Sequence, residues 1–180
     1  MRLAAIIVLA LVAAGCGGGG GSSAEEEAWA TDVCASIASW RTQVQTIATD
    51  AAEAITKPGA TRDTLEGAID NGVEATETLL EDLRGAVPPD TSEGEEAKAA
   101  VDAFLDDVSS ANDEVKTALA DLPDTAGLAQ IVASLSGLAT NLQTTVESGR
   151  TLVTELTDLG GTMKDAFENA DSCQELREPE

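Results

Sequence analysis

The chain has 180 residues, with 33 acidic against 10 basic side chains, no histidine and a net charge of −23. Without histidine neither a Ser-His-Asp nor a Cys-His triad can be assembled, and a zinc site lacks its usual nitrogen ligand. The negative charge argues against nucleic acid and against lying flat on an anionic leaflet, and favours solubility, cations or a basic partner.

The chain opens with Met1-Arg2, an apolar run over 3–14, Gly15-Cys16, five glycines at 17–21 and Ser22-Ser23. The run is about 12 residues, short of the roughly 20 a spanning helix needs. A basic start, a short apolar core and small residues before a cysteine make a secretory pattern. Ala13-Ala14-Gly15-Cys16 resembles the lipobox of bacterial lipoproteins, with Ala13 where that family usually has leucine. The resemblance covers these sixteen residues. It implies cleavage after Gly15, a diacylglyceryl thioether on Cys16 with palmitate-type chains, and attachment to the extracytoplasmic face of the cell membrane. Two or more acyl chains make such an anchor lasting. Residues 1–15 are then the signal, and 16–23 a lipidated cysteine with a Gly/Ser tether expected to hold no structure.

The mature chain of 165 residues loses Arg2, which leaves nine basic against 33 acidic residues and a charge of −24. That length suits one domain, placed at 24–176, with a frayed tail at 177–180. Setting Cys16 aside for lipid leaves Cys34 and Cys173. In an oxidising envelope an even remainder reads as a disulfide, against two buried thiols or an intermolecular bond.

From residue 24 on, the apolar residues keep a helical period. A first helix is expected over 24–56 on the stripe Trp29, Val33, Ile37, Trp40, Val44, Ile47, Ala51 and Ile55, with Glu25, Glu26 and Glu27 at its positive end. Trp29 and Trp40 fall on one face. Such a pair can stack on a sugar, but at stripe positions tryptophan is ordinarily core. Lys57-Pro58-Gly59 ends the helix.

A second helix over 61–85, with Thr61 as N-cap, carries Leu65, Ile69, Val73, Thr76, Leu80, Leu83 and Val87, weakened by Gly67 and Gly72. Pro88-Pro89 stops it. A third over 92–122, with Ser92 and Glu95 as a capping box, carries Val101, Phe104, Leu105, Val108, Ala111, Val115, Leu119 and Leu122. Asp102, Asp106 and Asp107 cluster on it. Paired carboxylates suit a cation or acid–base work, but the spacing is not a calcium loop and a solvated face is the simpler reading.

After a turn at Pro123-Asp124-Thr125, a fourth helix starts near Ala126 and carries Leu128, Ile131, Leu135, Leu138, Leu142, Val146, Gly149, Val153, Leu156 and Leu159. Gly149 on that stripe makes either a notch for a facing side chain or a bend. The period resumes after Gly160-Gly161 with Met163, Phe167, Ala170, Cys173 and Leu176.

Geometry decides between one last helix and two. In an up-down bundle Cys34 lies about 23 residues below the end where the fourth helix begins, and on a continuous helix Cys173 lies nearly 50 below it. The gap of roughly 38 Å forbids a bridge, whose Cα atoms must come within about 7 Å. Reversal at Gly160-Gly161 brings the cysteines level. The expected fold is therefore all-α: an up-down four-helix bundle with a short fifth helix folded back onto the first.

No phosphate-binding Gly-x-x-x-x-Gly-Lys-Ser/Thr segment is present. A carboxylate-only glycosidase needs an aromatic cleft, and four aromatics at stripe positions do not make one. The expectation is a non-catalytic, lipid-anchored interaction or structural module that uses no cofactor or metal and meets an envelope protein. The alternative is a bundle that holds a small molecule or lipid between its helices. Composition and the placing of Trp29, Cys34, Trp40 and Cys173 are similar to small secreted lipoproteins of high-GC Gram-positive bacteria. A receptor's sensor domain is disfavoured, since no apolar stretch of about 18 residues follows residue 24.

Overall fold

The computed structural model describes residues 22–57, 62–121, 123 and 127–177. Cys16 and the expected signal, Thr61, Ala126 and the side chains of Ile55, Leu122, Leu128, Leu135, Leu138 and Leu142 lie outside what is described. The described residues form helices and no strand: α1 (Ala24–Thr56), α2 (Arg62–Gly85), α3 (Ser92–Ala120), α4 (Leu128–Asp158), α5 (Gly161–Asn169) and α6 (Asp171–Arg177).

The stripes become the core of a helical bundle. Trp29, Val33, Ile37, Trp40 and Val44 of α1 pack with Leu80 and Leu83 of α2, Val101, Phe104, Leu105 and Val108 of α3, and Val153 and Leu156 of α4. Helix α1 lies along α2 and also meets α5 and α6, while α3 packs between α2 and α4. Ala75 and Leu79 of α2 are buried as well, beside its expected stripe.

Gly149 resolves as a notch. A Cβ there would lie 3.2 Å from Ile37 Cγ2 and 3.7 Å from Phe104 Cζ, so the missing side chain lets α1 and α3 close on α4. Gly67 and Gly72 have no such role, since an added Cβ would meet nothing within 4 Å. Gly67→Ala and Gly72→Ala are each expected to raise stability by about 1 kcal/mol, the helix-propensity difference, with an unchanged slope in urea melts. A loss of stability in either would show that the missing Cβ is needed after all.

Four local expectations are corrected. Helix α2 ends at Gly85 and Val87 is 81% exposed, because Pro88 and Pro89 stop the period before it reaches the core. The cap of α3 is Thr91, not Ser92: Thr91 Oγ1 accepts from Gly94 N at 3.0 Å, and Ser92 Oγ instead donates to Glu93. The deciding residue is Gly94, whose backbone is pressed against the Pro89 carbonyl; a Cβ there would overlap that oxygen. The start of α1 reaches into the expected tether. Ser23 is its N-cap, and Ser22 Oγ donates to Glu27 at 2.7 Å. Arg177, placed in the tail, is the last residue of α6 and donates to the Glu168 carbonyl.

The C-terminal segment turns at Gly160 and Gly161, whose φ values of 86° and 62° are ones that L side chains resist. It is two helices rather than one, broken at Ala170 (φ −69°, ψ 119°). The break has a cause in the spacing. Phe167 and Leu176 are nine residues apart, which on a continuous helix puts them on opposite sides. Extended backbone at Ala170 re-aims the chain, and Phe167, Cys173 and Leu176 are all buried.

Candidate functional site

Cys34 of α1 and Cys173 of α6 are joined by a disulfide with Cα atoms 5.0 Å apart, and neither residue is exposed. Two hydrogen bonds hold α6 in place around it: Ser172 Oγ donates to the Thr31 carbonyl, and Arg150 Nε to that of Leu176. One turn below, Trp29 meets Phe167 edge to face, the centroids 5.6 Å apart at 82°. Trp40 Nε1 donates to Thr76 Oγ1, which donates to the Gly72 carbonyl. Both tryptophans are therefore core residues with no face left for a sugar. Trp29 Nε1 is buried without a partner.

Glu26 is a charged residue that the stripes do not single out. It is 4% exposed and closes a capping box: Glu26 N donates to Ser23 Oγ, and its Oε2 accepts from Ser23 N at 2.6 Å. Its other oxygen accepts from Thr162 Oγ1 at 2.7 Å, which ties the start of α1 to the first turn of α5. The Ser23 N–H holds the carboxyl below its ordinary value of 4.5. Burial opposes that shift, and the Thr162 and Ser23 hydroxyls reinforce it. A pKa lowered in the folded state gives stability that is complete above about pH 4.5 and drains away as pH falls through the folded value. Glu26→Gln is expected to cost about 1 kcal/mol at pH 7 and to flatten the stability profile below pH 4.5. Denaturant melts across that range check it; an unchanged slope would remove Glu26 from the acid response.

The aspartate cluster on α3 stays in solvent. Asp102, Asp106 and Asp107 are exposed, and Asp102 pairs with Lys98 one turn earlier. Among the described residues no group of three His, Cys, Asp or Glu is placed to hold a metal ion.

An open cleft of about 440 Å³ runs between α1 and α2, lined by Thr42, Gln43, Thr46, Ile47, Asn71, Glu74, Ala75 and Thr78. Its hydroxyls are engaged within their own helices: Thr42, Thr46 and Thr78 each donate to the carbonyl four residues back. Gln43 donates to Ser39. Arg41 is the contrasting case. It is half-buried, and its Nε and Nη1 atoms are buried with no hydrogen-bond partner. An arginine beside an apolar stripe carries no sign in the sequence that its head group is partly buried.

No helix among the described residues is long and apolar enough to cross a membrane. No protein-family model, curated protein or solved structure matches the chain.

Proposed function

We propose that the chain is a bacterial lipoprotein, attached to the extracytoplasmic face of the cell membrane through lipid on Cys16, with a non-catalytic helical domain that acts as an interaction or structural module. The Cys34–Cys173 disulfide carries this reading, because a structural disulfide belongs to an oxidising compartment and the lipobox supplies the route there. Helix α1 is capped at Ser23, and only six residues of sequence, 17–22, lie between that cap and Cys16, a spacing that keeps the domain close above the bilayer. Its surface of many carboxylates and few cations suits a basic partner in the envelope.

The architecture that accompanies this function is an up-down four-helix bundle, α1 to α4, with α5 and α6 folded back along α1. Its supports are local. Gly161 lies beside Glu93, and Thr162 is bonded to Glu26, so α1, α3 and α5 start at one end. Gly149 meets Ile37 and Phe104, each eleven residues further along its own helix from Glu26 and Glu93.

The test is the intact mass of the protein taken from envelope membranes. A chain that starts at Cys16 with a thioether lipid, released to the soluble fraction by Cys16→Ser, is expected. An unmodified Cys16 or a different mature start would refute the anchor. Crosslinking the lipidated protein in cells then identifies the partner, and recovery of nothing but the protein itself would refute the interaction module.

A further inference from the structure

The cleft between α1 and α2 is lined mainly by hydrogen-bond acceptors. Thr42, Thr46 and Thr78 each spend the hydroxyl proton on a carbonyl of their own helix, at 2.9, 2.9 and 3.0 Å. A hydroxyl with its proton committed keeps its lone pairs, so these three offer the cleft acceptors only. Gln43 commits an amide N–H to Ser39 and keeps its amide oxygen. The Glu74 carboxylate stands beside them, and the lining holds no lysine or arginine.

Glu74 also lacks a counter-charge. The ion pairs among the described residues use Glu53, Glu66, Asp102, Glu77 and Glu168. Glu77, about one turn further along α2, is answered by Lys116 at 2.6 Å.

The floor of the cleft is apolar, with Ala75 buried and Ile47 half-buried. Its volume of about 440 Å³ falls in the range of small-ligand sites, roughly 300–1,000 Å³. Acceptors at the rim, one unpaired carboxylate and an apolar floor fit a cation that donates N–H and carries a methylene stem. They do not fit a quaternary ammonium, which has no N–H to give and is ordinarily held by aromatic faces. No aromatic residue lines this cleft.

We propose that the α1–α2 cleft binds a primary alkylammonium group. Its nitrogen pairs with Glu74 and donates to the neighbouring threonine oxygens, and its stem lies on Ile47 and Ala75. A free aliphatic amine and a lysine side chain of a partner share this chemistry. The site is independent of the anchor and operates whether or not Cys16 is lipidated.

The test uses the full chain in nanodiscs of zwitterionic lipid, with carbon-13 methyl labels on isoleucine and alanine, titrated at constant ionic strength. Pentylammonium is expected to shift the Ile47 and Ala75 methyl resonances saturably, as one site. Pentanol and trimethylpentylammonium are each expected to bind at least threefold more weakly. Glu74→Gln is expected to weaken pentylammonium about three- to fivefold, the range of an exposed charge pair. Glu155→Gln, which removes the same charge from an exposed position on α4, is expected to leave binding unchanged. N-acetyl-lysine methylamide distinguishes the two sources: its binding at the same resonances points to a partner's lysine, and its exclusion to a free amine. Absence of a saturable shift at Ile47 and Ala75 would overturn the proposal. So would equal binding of pentanol or trimethylpentylammonium, or an equal loss in Glu74→Gln and Glu155→Gln, since the cation would then answer only the charge of the whole chain.

Discussion

Replacing Cys34 and Cys173 together by alanine is expected to lower stability by about 3–5 kcal/mol and the melting temperature by roughly 10–15 °C. The bridge spans 139 residues of sequence, so its loss releases nearly the whole domain from a closed loop in the unfolded state. The native side holds little to compensate. Helix α6 is seven residues long, too short to persist alone, and its buried residues are Cys173 and Leu176. Thermal melts followed by circular dichroism, with and without reductant, check the value. The wild-type protein heated in reductant should converge on the double variant, and the variant should ignore reductant. A shift below about 3 °C would show that α5 and α6 dock by packing alone.

Gly94→Ala is expected to be the most damaging methyl group added at any described glycine, at about 2–4 kcal/mol. Overpacking alone costs about 1–3 kcal/mol, and here the obstacle is the Pro89 carbonyl, which cannot swing away as a side chain can. Pro89 is itself buried, and Thr91 N donates to its carbonyl at 2.8 Å. Moving it also disturbs the Thr91 cap, worth about 1 kcal/mol. Gly67→Ala is the matched control, with the same added methyl in a helix that has room for it. Chemical melts of the two should move in opposite directions. Equal, small shifts would mean that the α2–α3 turn gives way easily.

Much of the helical plan was legible because the sequence writes it plainly. Pro58, Pro88 and Pro123 punctuate the chain, the stripe of α1 keeps strict steps of three and four, and that of α3 does so apart from the adjacent Phe104 and Leu105. The bounds of α1 follow from the first turn of glutamates and the Lys57 stop. Gly160 and Gly161 announce a positive-φ turn because few other residue pairs tolerate one.

What was missed depends on contacts that periodicity does not encode. Ser23 and Glu26 stand in the capping-box spacing, but the run of glycines before them masked the signal. The second oxygen of Glu26 reaches Thr162, 136 residues away, and no local rule finds that. The Ala170 break was readable in the three-residue steps from Phe167 to Leu176, which drift off any single helical face. Arg41 stayed hidden because its interest lies in missing partners, and a sequence shows only which residues are present.

The disulfide also fixes how the molecule answers tension. A pull between Ser22 and Arg177 is carried from Cys34 to Cys173 by a covalent bond, since the bridge closes residues 34–173 into a ring. Only the short stretches outside the ring can then be drawn out, about 16 residues or roughly 55 Å at full extension. With the bridge reduced, the same pull unravels some 155 residues, or about 540 Å. The domain is therefore a nearly inextensible link while it remains oxidised, and reduction changes its compliance about tenfold.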